Sequence, residues 1–339
     1  RRMNDPILIV GAGLSGLAAA QTLHTLGASV LVVEKSRGPG GRMSTRHETL
    51  NGKPVSFDHG AQFFRGHDAG FRQVMDAWER DRWIAPWRGN FVRIKGEILE
   101  PDEGRLRYAP GPGMNRICQE YADRLKDQLR YQTRITELRE DKGRIVAAAE
   151  DGTIVGAFRA AICTAPGPQT AKLLEGFRPT LAMAAASTSY APCLAAMVAF
   201  AERPTVEWCA ASIQDGPLSF VAEDNARPGH QPALAPSRWI LHASASWSAE
   251  HIEENPEVFA PLMLEAFGQL PGVQDLDPPV HLRGHRWRFA LVEKTTTSAA
   301  QVEGTPPVAI AGDWCEGPRI EAAWSSGVRA ASAIRKALT

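Results

Sequence analysis

Glycines at positions 11, 13 and 16 stand in the spacing G-x-G-x-x-G, an acid follows at Glu34, and a second glycine-rich stretch, EKSRGPGGRMST, runs from Glu34 to Thr45. These residue types suit a ligand with a pyrophosphate between two polar ends. Gly11 allows a tight turn, Gly13 lets the backbone approach the phosphates, and Gly16 lets a helix pack closely on a strand. The helix that opens there offers unsatisfied amides and the positive end of its dipole. Glu34 can accept hydrogen bonds from a pair of ribose hydroxyls. Together these features point to a dinucleotide site.

The second loop bears on which dinucleotide. A nicotinamide dehydrogenase has no general need of a basic, glycine-rich loop after the acid, whereas FAD has a long pyrophosphate and ribityl chain to neutralise and bury. Arg42, among Gly38, Gly40 and Gly41, is suited to that work. The elements that must position these residues are equally legible. PILIV reads as a strand, Leu17 to Leu26 as an apolar, alanine-rich helix, and SVLVVE as a β-branched strand, which makes a β-α-β unit.

Further along, Phe71 to Arg80 has helical spacing, FVRIKGEILE reads as a hairpin turning at Gly96, and a helix starts at Met114 or Asn115. Three runs between Arg130 and Pro166 read as a meander ending in a buried strand. Between Ala191 and Phe289 the apolar runs read as one antiparallel sheet with the helix Pro256 to Leu270 laid on it. PPVAIAGDW and a final helix from Arg319 close the chain.

Strand alternation supplies candidates on the substrate side. In RWILHASASW, read as a single strand, Trp239, Leu241, Ala243, Ala245 and Trp247 share one face and Ile240, His242, Ser244 and Ser246 the other. His242 can roof a polar cofactor or be a sheet-surface histidine bonded to a loop. In HLRGHRWRF, His285, Trp287 and Phe289 share a face that can stack on a nicotinamide, enclose an amine, or simply be core. In DHGAQFF, Gln62 can hydrogen-bond a carboxamide or flavin edge and Phe63 and Phe64 can pack nearby; a polar crossover with a core aromatic pair is the plainer reading. Trp314 and Trp324 are pocket-wall or packing residues, and Arg65, Arg93 and Arg105 are phosphate contacts or solvated surface.

Composition narrows the partners. Lysine plus arginine equals aspartate plus glutamate, 38 against 38 in 339 residues, so no global field draws the chain to nucleic acid or anionic lipid. The five cysteines form no C-x-x-C pair, which argues against a disulfide framework or a metal site and for a reducing cytoplasm. The apolar run after Arg1 and Arg2 is far too short for a signal segment or a membrane span, and Met3 is the expected native start.

GAGLSG, Glu34 and GGR together resemble the FAD-binding signature of flavin amine oxidases, phytoene desaturase-like enzymes and renalases. AGDW, Ala311 to Trp314, resembles the second signature of these proteins, which implies that Asp313 binds the ribityl chain. It also implies that the helix start at Ile320, Glu321 and Ala322 faces the flavin pyrimidine carbonyl, and that the backbone at Ile135 lies against adenine. Ala12, Ser15, Lys35, Gly41, Asp58, His59, Gly60 and Ala61 complete the expected cofactor set.

The implied fold is α/β. It combines a Rossmann-type FAD-binding domain of the two-dinucleotide-binding flavoprotein superfamily, p-hydroxybenzoate hydroxylase or amine oxidase-like, with an α+β substrate domain on an antiparallel sheet. The expected boundaries are 1–65, 107–168 and 303–339 for the first domain, and 66–106 and 169–302 for the second.

SRGPGGRMSTR, DHGAQFF, PGMN, APGPQ, WILHASASWS, HRW and the AGDW region occur in an order similar to renalases, especially bacterial ones, essentially end to end. That resemblance implies noncovalent FAD and oxidation of 1,2- and 1,6-dihydro isomers of NAD(P)H to NAD(P)+, with O2 giving hydrogen peroxide. Hydride loss from such a ring leaves an aromatic cation, so no base or nucleophile is required and positioning becomes the main task. His242, Trp287 and Gln62 are the expected catalytic residues. Phe63, Phe64, His285, Phe289, Trp314 and Trp324 are the expected pocket. Amine or amino-acid oxidation is the alternative, though the chain has four tyrosines and none after Tyr190 for an aromatic cage. A flavin-binding protein without turnover is a third reading.

Overall fold

The computed structural model describes residues 5–104, 106–230, 236–274, 276–296 and 302–339. Arg105 and the Arg1–Met3 start lie outside these. The chain forms two compact units: Arg1–Met43, Ile117–Tyr190 and Val292–Thr339 make the first, and Ser44–Arg116 and Ala191–Leu291 the second. The chain enters and leaves each unit as a discontinuous domain would, but at different places. Residues 44–65 and 107–116 fold with the second unit, and 169–190 and the stretch from Val292 fold with the first.

In the first unit Ile7–Val10 pairs in parallel with Val30–Val33 on one side and Ala160–Cys163 on the other. Val308–Ile310 and Leu129–Arg130 extend the parallel sheet, and Val302–Glu303 closes one edge antiparallel. The unbroken apolar runs ILIV, AAIC and VAI are what strands buried on both faces require, and every residue in them is buried. Each large side chain so buried contributes about 1.5–3 kcal/mol.

The meander Ile135–Asp141, Arg144–Ala149 and Ile154–Phe158 shares a core with the sheet through Ile145, Ala147 and Phe158 against Leu8, Val10 and Ala161. Two short helices, Gly167–Leu174 and Pro179–Ala186, were not expected. Each carries a proline in its first turn, Pro168 and Pro179, a position that suits proline, and Leu174, Leu181 and Ala185 seat them in that same core. The first helix, Leu14–Thr25, packs on the C-terminal helix, Ile320–Leu338. A Cβ on Gly327 would lie 2.1 Å from the Ser15 carbonyl oxygen, so glycine permits the approach.

The second unit holds most of a seven-stranded sheet, in the order His281–Lys294, Ser189–Phe200, Ser237–Ala243, Leu218–Glu223, Ala210–Ile213, Phe91–Lys95 and Ile98–Pro101. It is not wholly antiparallel, because Phe91–Lys95 runs parallel to Ala210–Ile213. Phe259, Met263 and Phe267 of the helix Pro256–Gly268 pack on one face against Trp208, Trp239 and Leu241. On the other, Val55 and Phe57 meet Met197, Ala199 and Ile240, which draws the hairpin Arg46–Leu50 and Lys53–Phe57 into this unit.

Two expected elements end early or start late. The strand of His242 stops at Ala243, because Ser244 precedes the helix Ala245–His251; Ser246 and Trp247 therefore leave the sheet. Trp247 stacks instead on His251, with centroids 4.0 Å apart. The helix expected at Met114 or Asn115 begins at Arg116, since the Met114 amide donates to Asp58 Oδ1 at 2.8 Å and the Asn115 amide to Thr45 Oγ1 at 3.3 Å.

Candidate active site

The first unit builds a cradle from two loops. Gly11 has φ +110°, and a Cβ on Gly16 would lie 2.0 Å from the Gly11 carbonyl oxygen, so both must be glycine. A Cβ on Gly13 would meet nothing within 4 Å, which leaves that side of the turn open for a ligand. The second loop folds back on the first: the Gly40 amide donates to the Ala12 carbonyl at 2.9 Å, and Gly41 sits against the Gly13 backbone. Glu34, 9% exposed, joins them. Its Oε2 accepts from the Ala12 amide and its Oε1 from the Ser36 amide, each at 2.8 Å. Each oxygen keeps a lone pair for a ribose hydroxyl.

Arg42 and Asp313, far apart in sequence, form a bidentate pair at 2.8 and 2.5 Å. Burial, the largest single influence, lowers the guanidinium's pKa, but the Asp313 charge and hydrogen bonds together with Tyr190 outweigh it and leave the pKa raised. Ser15 Oγ, at the start of the first helix, is buried with no hydrogen-bond partner among the described residues. A buried hydroxyl of this kind calls for an acceptor. The C-terminal helix begins with no side-chain cap. Its first-turn amides at Ile320, Glu321 and Ala322 have no intrahelical acceptor by the geometry of a helix start, and Ala323 is the first to donate back, to Arg319. Ile135 is buried as it opens the meander, and the Thr133 amide ties that segment to the Glu34 carbonyl at 2.9 Å. Lys35 is exposed. An open glycine edge, an unpaired hydroxyl and a matched charge pair fit the diphosphate and ribityl chain of FAD.

One expected pocket residue packs inside this unit instead, and a second, half-buried, is tied within it by a hydrogen bond. Trp314 is 1% exposed in the sheet core and donates Nε1–H to the Ala165 carbonyl at 3.1 Å. Trp324 donates to the Tyr121 hydroxyl at 3.3 Å, joining two helices.

The second unit gathers the substrate-side candidates around the turn Asp58–Gln62. The His59 carbonyl accepts from Trp287 Nε1 at 3.0 Å and is 3.1 Å from His242 Nε2. A carbonyl only accepts, so His242 carries its proton on Nε2. The His59 ring stacks on Trp287 at 5.0 Å and meets His285 edge-on at 4.6 Å. Phe289 is half-buried further along the same strand.

Other members of the expected set serve structure. Asp58, expected at the cofactor, is engaged within the second unit: Oδ1 accepts from Thr45 Oγ1 at 2.5 Å and from the Met114 amide, and Oδ2, which has no hydrogen bond among the described residues, is ion-paired with Arg227 Nε at 3.2 Å. Gln62, expected to be catalytic, donates to the carbonyls of Asp58 and Gly60 and accepts from Arg227 at 3.0 Å. Gly60 and Ala61 thus form the body of a braced turn. Phe64 is core, edge-on to Phe71 and Trp78, whereas half-buried Phe63 packs near Phe220 with Arg65 and Arg107 over its ring. Arg93 is exposed on its strand.

The imidazoles are held neutral. Burial, then His285 and Arg46, lowers His59 to about 3. Burial lowers His242 to about 4, with Arg227 adding to it. Burial, Arg46 and Arg283 lower His285 to about 4. Arg46 and Arg283, which both act on His285 as positive charges, lie 3.9 and 2.8 Å from one carboxylate, Glu48. Arg46 and Arg227 were not singled out from sequence, where nothing distinguishes them from other arginines.

Among the described residues, no helix is long and apolar enough to cross a membrane, and no group of three or more histidines, cysteines or acids could hold a metal ion. All five cysteines are free.

A Rossmann-type cradle with a second strand-to-helix site at Asp313 defines a dinucleotide-binding flavoprotein fold. Residues 9–80 match the profile of the NAD(P)-binding Rossmann-like domain, and residues 95–335 that of the flavin containing amine oxidoreductases. The chain belongs to the flavin containing amine oxidoreductase family, with FAD as its cofactor.

Among curated proteins it is 42% identical over 66 residues to lysine-specific histone demethylase 1 homolog 2 of Oryza sativa subsp. japonica, covering 20% of the chain and 8% of that protein. It is 43% identical over 101 residues to protein FLOWERING LOCUS D of Arabidopsis thaliana, covering 28% and 12%. The chain thus matches only a small part of these much longer relatives. Among solved structures, cyclohexylamine oxidase from Brevibacterium oxydans IH-35A superposes with TM-score 0.77 at 15% identity over 99% of both chains. Wild-type putrescine oxidase bound to putrescine gives 0.73 at 13% identity over 98% of this chain and 99% of that one. Such identities establish a shared fold.

Proposed function

We propose that this protein is a renalase-like, FAD-dependent oxidase of the cytoplasm. It converts 1,2- and 1,6-dihydro isomers of NAD(P)H to NAD(P)+, with O2 and a proton becoming hydrogen peroxide. One observation carries this reading. The aromatic cluster of the second unit holds three neutral imidazoles beside Trp287, under the influence of two guanidiniums that share one carboxylate. A protonated amine would meet charge of its own sign, whereas a dinucleotide brings phosphates of the opposite sign.

Noncovalently bound FAD supplies a two-electron, hydride-accepting centre. The chain's own residues bind and orient. Gly11, Gly13, Ser15, Glu34, Arg42 and Asp313 would hold the cofactor's phosphates and sugar chains, and the start of the helix Ile320–Leu338 would offer amides to its ring. Trp287 presents a flat π-face to a ring that becomes cationic as hydride departs, an attraction worth roughly 0.5–2 kcal/mol. His242, donating Nε2–H to the His59 carbonyl, offers Nδ1 as an acceptor suited to a carboxamide N–H. No side chain has to remove a proton, which matches imidazoles kept from protonation, with His242 held by its bond to the His59 carbonyl and His59 and His285 by ring contacts with Trp287.

Amine oxidation is the competing reading, favoured by the family description. Anaerobic mixing separates the two. We expect the purified protein to be yellow, to release FAD on heat denaturation, and to bleach within seconds with 2- or 6-dihydroNAD(P) but not with ordinary NADH. Bleaching by simple amines without response to the isomers would overturn the reading, and bleaching by neither would favour a flavin-binding role without turnover.

A further inference from the structure

We infer that Arg227 is the positioning residue of the His242 and Trp287 wall: it fixes the Asp58–Gln62 turn, and through the His59 carbonyl it sets the tautomer of His242 and the tilt of Trp287. The inference rests on the substrate-side role proposed above for those two side chains.

The Arg227 side chain is wholly buried, and its planar fork points in three directions at once. Nε lies 3.2 Å from Asp58 Oδ2, Nη1 donates to Gln62 Oε1 at 3.0 Å, and Nη2 reaches Met114 Sδ at 3.3 Å. Trp87 lies under the plane, 5.1 Å from its centre. Because a guanidinium is rigid, these directions fix the distance between the two ends of the turn. Gln62 closes the turn from within by donating to the Asp58 and Gly60 carbonyls.

His59 lies between the clamped ends. Its carbonyl receives Trp287 and His242 together, which uses both lone pairs. Rotation of that one peptide would release both side chains.

The plainer role for Arg227 is to neutralise Asp58. The charges around it argue that neutralisation is only part of its work. Asp224 Oδ1 accepts from the Asp58 amide at 3.4 Å and lies 3.8 Å from Arg227 Nε, and Arg238 Nε is 3.8 Å from Asp224 Oδ2. Two acids thus face two arginines, and the bond to Gln62 adds geometry that charge balance does not need. A lysine would keep the charge but could not span Asp58 and Gln62.

The test uses two FAD-loaded, full-length variants, R227K and Q62M. The second keeps the Arg227–Asp58 ion pair and so guards against loss of folding in the first. Isotope-labelled histidine is read by NMR for the tautomer of His242, and indole N–H exchange is followed at Trp287 with Trp314 as an internal control. In both variants His242 should change from a single Nε2–H tautomer to a mixture. Trp287 should exchange about tenfold faster, the scale of one lost hydrogen bond, with Trp314 unchanged. A wild-type His242 tautomer and wild-type Trp287 exchange in Q62M, or in folded R227K, would overturn the inference. Both signals are read without substrate, so inactivity toward dihydronicotinamides would sink the functional proposal alone.

Discussion

Replacing Gly327 with alanine sets two physical effects of opposite sign against each other. Helix propensity alone favours the substitution by about 1 kcal/mol, because glycine is a poor helix former. Packing opposes it. The added Cβ would lie 2.1 Å from the Ser15 carbonyl oxygen, where ordinary contact begins at 3.4 Å, so the two helices must separate by about 1.3 Å. The obstruction is helix backbone and cannot rotate away, which puts the cost near the upper end of overpacking, about 3 kcal/mol. The expected net loss is about 2 kcal/mol, or roughly 4–8 °C in Tm for a unit of this size.

The displaced helix also carries Ile320 to Ala322 at its start, about 10 Å along the same axis. FAD affinity should therefore fall together with stability. Gly13→Ala provides the contrast, since its Cβ meets nothing in the protein. It should leave the stability of the cofactor-free protein within about 1 kcal/mol of wild type, the usual scale of a helix-end glycine change, while lowering FAD affinity. Differential scanning fluorimetry of apo and FAD-loaded protein, with flavin fluorescence for binding, measures all four quantities. A Gly327→Ala protein as stable as wild type, with unchanged FAD affinity, would refute the packing argument.

Arg42→Met strips Asp313 of its bidentate partner, and since Arg42 is partly exposed the loss should be only about 1–3 kcal/mol; urea titration and flavin retention on a desalting column check it, and full retention of both counts against the pair. Acid should destabilise the protein through His59, His242 and His285, whose folded pKa values lie below the ordinary 6.5. Their neutral-state stabilisation is complete above pH 6.5 and is lost as pH falls through about 4 and then 3, reaching up to about 2 kcal/mol per imidazole at pH 5. Urea midpoints that do not move between pH 7 and pH 5 would contradict it. Trp287→Phe deletes one donor to the His59 carbonyl and should slow anaerobic flavin reduction about tenfold, the scale of one oriented hydrogen bond. Unchanged reduction and reoxidation rates in His242→Ala would remove that side chain from the reaction.

The parts of the molecule that depend on near neighbours in sequence are legible in the sequence itself. The glycine turn, the acid at Glu34, the apolar strands and the final helix each follow from spacing and residue type, because phosphate binding by a backbone needs a local run of glycines next to a helix start. What the sequence left open lies in long-range pairings. Trp314 and Phe64 read equally well as wall or core, and only packing decided for core. Gln62 and Asp58 read as ligands until Arg227, 165 residues beyond Gln62, was found to claim both. Alternation alone carried the His242 strand past Ser244, where a helix start broke it. A short local pattern records what a residue can do, whereas burial and partners fix what it does, and those are set by chain segments that meet only in the folded state.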